Sequence, residues 1–457
     1  METHHHKRSA FSGKLGFVLS AAGASVGLGN IWRFPYLAAK YGGGIFLLIY
    51  IVLAVTFGYT MIMAETALGR MTKKSPVGAF AAFGKGGGFA FGGWINAIIP
   101  ILIVPYYSVI GGWVIKYLVE YLRGGGSALA QDGYFSGFIS NGVSVELCFL
   151  AFTLFTLAII FAGVRNGVER VSKCMMPVLA VLSVIIAVYS VTRPGALAGV
   201  KYFLVPNLDN FSWMTVVSAM GQMFYSLSIA MGILITFGSY MKKDVSIEDS
   251  TTNVEIFDTA IAIMAGLMII PAVFAFSGGD PDTLQAGPAL MFITIPKVLD
   301  SMGMGTVVGV LFFVLVLFAA VTSSIALTES AVSTFEDELG WKRHKSTLLI
   351  GVIMVALGSL SALGYGPLGE VTVFGMQFLD LFDFLTNSVM MPIAAIAICL
   401  LVSRVIGVEK IEEEVTQEGG RFRRKAIFNF MIRYLCPLFA AIILVSSVAN
   451  ALGWIKM

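Results

Sequence analysis

The sequence predicts an all-α polytopic membrane protein, and three observations support this fold class. Hydrophobic residues make up 57% of the 457-residue chain and charged residues only 12%, so it is far more apolar than a soluble globular protein. Stretches of about 20 apolar residues, long enough to cross a bilayer as a helix, recur along the chain. Two of these stretches are interrupted at corresponding positions by residues that weaken helices. We therefore expect a single transmembrane domain over residues 1–457.

Eleven apolar spans follow one another along the chain. They cover 15–41, 43–69, 91–122, 147–163, 170–191, 214–241, 253–276, 306–336, 346–364, 371–403 and 427–453. The first five spans form one repeat over 15–191, the next five form a second repeat over 214–403, and 427–453 is an eleventh helix. Because five is an odd number, the second repeat begins on the opposite side of the membrane. This is the inverted 5+5 repeat of secondary transporters.

The distribution of lysine and arginine predicts the orientation, because cytoplasmic loops carry an excess of both. With the N-terminus inside, 22 of the 30 Lys and Arg residues fall in segments on the inner side. We therefore expect a multi-pass protein of the cell membrane with a cytoplasmic N-terminus and an extracytoplasmic C-terminus. The basic residues lie in short clusters between apolar runs, so the net charge of +3 predicts no nucleic-acid partner. The expected partners are the lipid bilayer and a small molecule, and both a monomer and a homodimer remain open.

The first span contains the run GASVGLGNIWRFP at 23–35, which is costly inside lipid. Glycine weakens a helix by roughly 1 kcal/mol and proline by about 3, and an arginine at membrane depth costs still more. Unwound backbone is tolerated there only if it is buried in protein or lines a cavity. The run FYSLSIAMG at 224–232 interrupts the sixth span in the same way. Close packing of small residues explains either break alone, but two breaks at matching positions indicate a binding site near mid-membrane.

Polar residues in the other spans suggest what this site binds. Ala319, Thr322 and Ser323 share one face of the eighth span, because they are spaced i, i+3, i+4. Together with carbonyls freed at Gly23 and Val26, their oxygens form a neutral cage that suits a monovalent cation better than Mg²⁺ or Ca²⁺.

Three carboxylates within the spans are further candidates, because carboxylates inside a membrane are usually functional. Asp258 lies in the seventh span, although it could instead begin that helix. Glu65 in the second span could accept hydrogen bonds from unwound backbone. Asp383 in the tenth span, or Asp380 one turn before it, could pair with Arg33, which needs a counter-ion at that depth.

Enzymatic chemistry is not expected, because the sequence contains no GxSxG motif, no HExxH motif and no Cys/His cluster. A ligand-gated channel is the alternative from a different class. It would require a continuous polar stripe or a repeated filter, whereas two breaks with sparse polar groups favour an occluding site. A proton-coupled amino-acid transporter, with Asp258 as the proton carrier, is the second alternative.

The run GLGNIWRFP at 27–35 resembles the first-helix signature of the neurotransmitter:sodium symporter family. The chain is similar to the bacterial amino-acid transporters of that family, which have the LeuT-type fold with spans 1 and 6 unwound. Further matching residues extend the resemblance from residue 8 to about 434. They are Tyr106-Tyr107, Ser226-Leu227-Ser228, Thr322-Ser323-Ser324, Glu336-Asp337-Glu338 and Asp383.

The resemblance implies two Na⁺ sites and symport of an amino acid. The ligands of one Na⁺ would be the carbonyls of Gly23, Val26 and Ala319 and the hydroxyls of Thr322 and Ser323. The ligands of the other would be Ser25, Asn30, Ser226, Asp258 and the carboxylate of the substrate. Relatives with a carboxylate at the position of Asp258 do without chloride, so we expect chloride independence.

The resemblance also implies a substrate pocket between the two cations. Gly27 leaves room for an α-carboxylate, which indicates a zwitterionic amino acid. Small Ala24 and adaptable Met231 favour a large aliphatic or aromatic side chain, whereas the methyl group of Ala230 would reduce the pocket. The expected substrate-binding residues are Ala24, Ser25, Gly27, Gly29, Ile103, Tyr107, Tyr225, Ser226, Ser228, Met231, Ser323 and Leu327.

Two gates follow from the same resemblance, although both pairs could also be static ion pairs. Arg33 and Asp383 would form the outer gate beneath Tyr225, which would act as a lid. Arg8 and Asp337 would form the inner gate, with Phe11 packed behind it. In the fifth span, the spacing between Gly167 and Pro177 resembles that of the site where the inner half of this helix unwinds in the family.

Overall fold

The computed structural model describes residues 9–83, 90–279, 284 and 287–454. Nine spans in this part of the chain are uninterrupted helices that are long and apolar enough to cross a membrane. They are Gly44–Thr72, Ala90–Leu122, Gly142–Phe161, Val164–Val191, Ile247–Ser277, Gly305–Leu339, Arg343–Leu363, Phe378–Ile406 and Lys425–Ala451. They correspond to the predicted spans 2, 3, 4, 5, 7, 8, 9, 10 and 11.

The first and sixth spans are broken, as predicted. Lys14–Ser25 and Gly29–Lys40 form the first span and meet at an angle of 55°. Trp213–Ser226 and Ile233–Ser239 form the sixth. By length and apolarity, the described residues contain ten candidate spans, namely the nine helices and the bent first span, and the two half-helices of the sixth make eleven. Among these residues the only strand-like pairing is an isolated bridge between Val373 and Met376.

Some boundaries differ from the prediction for local reasons. The fourth span begins at Gly142 rather than 147, because the Asn141 side chain caps it by accepting from the Ser144 N–H at 3.0 Å. The fifth begins at Val164 rather than 170, directly after Gly163, whose φ of 91° ends the preceding helix. Apolarity alone does not locate such caps.

The eighth span lies at the centre of the bundle. It packs against the third span, the fifth span and the inner half of the first span, and its residues from Ala319 to Thr334 are all buried. The outer half of the first span contacts the second half of the bundle through the sixth and seventh spans. Both breaks therefore face the same central region.

The segment between the tenth and eleventh spans contains the helix Val408–Thr416, which buries its apolar face. Its Glu414 pairs with the Arg70 Nε at 2.6 Å, and both side chains are almost fully buried. Arg70 also donates to the Val245 carbonyl at 2.7 Å. This buried arginine ties the segment to the second span and to the loop that precedes the seventh.

Candidate functional site

The first break is confined to residues 26–28, because Gly29–Arg33 forms a π-helical turn that continues into the helix. It is therefore shorter than the run 23–35 suggested. The Gly27 N–H donates to the Asn30 side-chain oxygen at 3.2 Å, and the Leu28 N–H donates to the Tyr107 hydroxyl at 3.3 Å. Side chains thus satisfy the N–H groups that the break frees.

The second break covers residues 227–232 and contains three residues with positive φ, namely Ser228, Ala230 and Gly232. A non-glycine residue in this region costs about 1–2 kcal/mol. The Glu65 carboxylate accepts from the Ala230 N–H at 2.7 Å, so Glu65 stabilises the unwound backbone. The Ser228 hydroxyl donates to the Ala24 carbonyl at 2.9 Å and so joins the second break to the last turn of the half-helix before the first break.

One central cavity lies between the breaks, with an empty volume of about 370 Å³. All twelve residues that were expected to bind substrate line this cavity, and Leu28 and Asn30 complete its wall. Ala230 is fully buried but does not line the cavity, so its methyl group does not narrow it. The larger outer vestibule has an empty volume of about 1710 Å³, and Tyr107 and Tyr225 line both spaces.

Two glycines in the first break leave space that no other residue could leave. A Cβ on Gly27 would lie 2.8 Å from the Ser323 Oγ and 3.1 Å from the Tyr107 hydroxyl. A Cβ on Gly29 would lie 2.4 Å from the Tyr225 ring. Gly27 therefore keeps the end of the cavity open, and Gly29 allows Tyr225 to approach the first span.

A cluster of polar side chains surrounds Asp258, which is fully buried. Its carboxylate accepts from the Asn30 Nδ2 at 2.9 Å, from the Ser226 hydroxyl at 3.0 Å and from the Tyr50 hydroxyl at 3.4 Å. These described partners are all neutral, so they leave the charge of Asp258 uncompensated. A buried charge without an opposite charge is costly, and the oxygen-rich cluster suits a monovalent cation. The Tyr50 contact was not anticipated, since no pattern in the second span distinguishes this tyrosine.

A second group of oxygens gathers around Ser323. Its hydroxyl lies 3.2 Å from the Gly23 carbonyl oxygen and 3.3 Å from that of Val26. The neighbouring Thr322 hydroxyl lies 3.2 Å from the Ala319 carbonyl oxygen. The structure therefore brings together the oxygens of Ser323, Gly23 and Val26, which form an uncharged set that suits Na⁺. The Thr322 hydroxyl instead donates to the Phe318 carbonyl at 2.9 Å within its own helix, with its Cβ next to Gly23.

Arg33 and Asp383, the expected outer gate, do not form a direct ion pair. The Arg33 guanidinium lies 5.1 Å from the centre of the Tyr225 ring, and no ion pair within 4.0 Å joins it to Asp383 in the described part of the chain. Asp383 instead accepts from the Tyr106 hydroxyl at 3.2 Å and from the Asn387 Nδ2 at 2.6 Å. The sequence did not single out Asn387.

Of the inner pair, Arg8 lies outside the described residues. Asp337 accepts from the Ser75 N–H at 2.6 Å. Phe11 is buried, with edge-to-face contacts to Phe237 at 5.5 Å and Tyr240 at 5.8 Å.

The inner face also holds two buried carboxylates that the sequence analysis missed, Glu169 and Glu329. Glu169 accepts from the Ser12 N–H at 2.9 Å and pairs with Lys173 at 2.6 Å. Glu329 pairs with Arg343 and accepts from the Tyr240 hydroxyl at 2.7 Å. The signal that could have found them is the one that identified Asp258, a carboxylate within an apolar span.

Known proteins resemble the chain along almost its whole length. The model of the sodium:neurotransmitter symporter family matches residues 8–125 and 136–454. The uncharacterized sodium-dependent transporter YhdH of Bacillus subtilis (strain 168) is 34% identical over 441 residues, which are 95% of this chain and 96% of YhdH. The sodium- and chloride-dependent GABA transporter 2 of Macaca fascicularis is 27% identical over 489 residues, which cover 94% of this chain and 77% of that protein.

A solved structure shares the fold. The crystal structure of MhsT in complex with L-phenylalanine matches with a TM-score of 0.86 and 34% identity, covering 96% of this chain and 100% of MhsT. This match confirms the predicted all-α, LeuT-type fold of a multi-pass membrane protein. The chain belongs to the sodium:neurotransmitter symporter family.

Proposed function

We propose that this sodium-coupled symporter imports a large aliphatic or aromatic L-amino acid and does not require chloride. The observation that carries the proposal is the single central cavity, which contacts both breaks and adjoins the buried Asp258 cluster. Its wall combines backbone and hydroxyl groups at one end with Ile103, Met231 and Leu327 at the other. The similarity to MhsT, solved in complex with L-phenylalanine, supports a hydrophobic side chain.

The position of Gly27 supports an α-amino acid. Gly27 lines the cavity, and the Gly27 and Leu28 N–H groups lie at the start of the outer half-helix. The positive end of a helix dipole favours a carboxylate. A substrate carboxylate at this end would also approach the cation beside Asp258.

Two Na⁺ ions would accompany the substrate, one beside Asp258 and one beside Ser323. The first site carries a full negative charge from the protein, so that site needs no additional anion. We therefore infer that chloride is dispensable here. At the second site, Na⁺ would replace the Ser323 hydroxyl proton as the partner of the Gly23 and Val26 carbonyls, and the Ser323 oxygen would itself be a ligand. The ion would thereby stabilise the packing of the inner half of the first span against the eighth span.

Alternating access follows from these contacts, since each ion stabilises the arrangement in which its ligands from different helices come together. Arg33 and Asp383 would close the outer side beside Tyr225, and Arg8 and Asp337 would close the inner side. The N-terminus is proposed to be cytoplasmic and the C-terminus extracytoplasmic, in agreement with the charge distribution.

The test is uptake into proteoliposomes of a panel of labelled L-amino acids, with Na⁺, Li⁺ or K⁺ gradients, in chloride or gluconate, at several pH values. We expect saturable uptake of Phe, Trp, Tyr, Leu or Ile that requires Na⁺ and is unchanged in gluconate. Uptake confined to small or charged amino acids would contradict the substrate class. A requirement for chloride would contradict the role given to Asp258.

The same assay distinguishes Na⁺ coupling from proton coupling. The observation that favours proton coupling is the buried carboxylate of Asp258, which could carry the proton. Uptake driven by a pH gradient in the absence of Na⁺ would favour that alternative. Uptake that responds to Na⁺ alone would exclude it.

A further inference from the structure

Asn387 lies in a π-helical turn of the tenth span, Phe384–Met390, beside the carboxylate of the proposed outer gate. Its Nδ2 donates to the Asp383 carboxylate at 2.6 Å and to the Tyr106 hydroxyl at 3.2 Å. Its Oδ1 is buried and has no hydrogen-bond partner. The donated bonds alone therefore hold the amide in this position.

Arg33 faces the same carboxylate across the vestibule. Arg33, Asp383 and Asn387 all line this space, yet the Arg33 guanidinium is placed over the Tyr225 ring rather than on Asp383. The bonds from Asn387 and Tyr106 both end on the Oδ1 atom of Asp383, whose two lone pairs they occupy. A guanidinium that paired with both carboxylate oxygens would therefore have to displace one of these bonds. Asn387 and Arg33 thus compete for Asp383.

We propose that Asn387 is a positioning residue of the outer gate, which holds Asp383 away from Arg33 and so stabilises the open vestibule. The inference rests on the proposed role of Arg33 and Asp383 as the gate. Closure would require Asp383 to exchange the Asn387 amide for the Arg33 guanidinium. A hydrogen bond to a charged group shifts such an equilibrium by about tenfold or more.

The test measures how open the vestibule is, using a cysteine at Ser447, which lines this space. The native cysteines are replaced by serine, and the rate of modification by a membrane-impermeant thiol reagent is followed in Na⁺, with and without substrate. In Asn387→Leu, which keeps the size but removes the hydrogen bonds, we expect a rate about tenfold lower without substrate. We also expect protection at lower substrate concentration and a lower kcat, because reopening is slower.

Two further variants separate the hydrogen bond from packing. Thr386→Val is the matched control, because the Thr386 hydroxyl donates to the Phe382 carbonyl at 2.7 Å and lies 3.5 Å from Tyr106 without contacting the Asp383 carboxylate. It should leave the modification rate unchanged. Asn387→Gln keeps the donor and should restore at least part of the wild-type rate. A rate in Asn387→Gln as low as in Asn387→Leu would overturn the inference.

Asp383→Asn distinguishes failure of this inference from failure of the gate itself. If Asp383→Asn alters substrate-dependent protection but Asn387→Leu is modified at the wild-type rate or faster, Asn387 has no positioning role. If neither variant changes protection, the proposed gate fails and the inference fails with it. Unchanged Na⁺-dependent thermal stabilisation in each variant establishes that the protein is folded.

Discussion

Asp258 shows how one residue can determine the ion requirement of the site. Its charge is fully buried, and its described contacts are an amide and two hydroxyls. None of these described contacts is a lysine or arginine, which supports the proposal that Asp258 binds a cation. Its nearest neighbours, Asn30 and Ser226, come from the two broken spans, so a bound cation would join both halves of the site.

Asp258→Asn should convert the transporter to chloride dependence. The substitution keeps the size of the side chain but removes the negative charge, so Na⁺ beside it would need another anion. We expect uptake in gluconate to fall at least about tenfold, the effect of losing roughly 1.4 kcal/mol of cation binding, and to recover partly in chloride. Ser226→Ala, which removes a ligand but no charge, is the control. Equal loss of uptake in both media would contradict the prediction.

Gly27→Ala should raise the KM for the amino acid at least about tenfold. The new methyl group would lie 2.8 Å from the Ser323 Oγ, in the space proposed for the substrate carboxylate. Overpacking of this kind typically costs about 1–3 kcal/mol. Gly137→Ala, where a Cβ meets nothing within 4 Å, is the matched control and should leave KM unchanged. The concentration dependence of Na⁺-driven uptake gives KM for both variants, and an unchanged KM in Gly27→Ala would contradict this placement of the carboxylate.

At the scale of elements, the two breaks hold each other in place. Ser228 donates to a carbonyl in the last turn before the first break, and Ser323 of the eighth span lies within 3.3 Å of two more carbonyl oxygens. Neither break would be stable in lipid by itself, because its free backbone groups need partners. The π-helical turns beside the first break and around Asn387 shift side chains that a regular helix would place elsewhere.

Glu65→Leu should destabilise the second break. It removes the acceptor of the Ala230 N–H and leaves a buried donor unpaired, at a cost of about 1–3 kcal/mol. We expect Na⁺-dependent thermal stabilisation and uptake to be lost together. Glu65→Gln keeps the side-chain oxygen that accepts this bond and should retain much of both. If the two variants behave alike, the hydrogen bond to Ala230 is not what stabilises the break.

At the scale of the whole molecule, buried ion pairs hold one face of the bundle together. Arg70 with Glu414 joins segments that are far apart in the sequence, and Arg343 with Glu329 joins the eighth and ninth spans. Pairs of this kind are costly to break, because removal of one partner leaves a buried charge. They hold together the ends of the spans that we propose to be cytoplasmic, on the side opposite the vestibule.

The orientation can be checked with single cysteines in a chain whose four native cysteines are replaced. A cysteine at Asp209 lies in an exposed outer segment, and one at Glu413 is exposed on the proposed cytoplasmic helix. In intact cells we expect an impermeant maleimide to label only the first, and both after permeabilisation. Labelling of Glu413→Cys in intact cells would reverse the proposed topology.

The sequence by itself determined the fold class, the eleven spans and the two breaks, because bilayer thickness and the cost of unpaired backbone leave few other solutions for such a chain. By resemblance, it also named twelve of the fourteen residues that line the cavity. The tertiary structure alone decided that Ala230 does not line the cavity, that Tyr50 reaches Asp258 and that Asn387 rather than Arg33 contacts Asp383. These contacts join residues from different spans, and their geometry depends on helix rotation and π-helical turns, which the spacing of residues along one span does not determine.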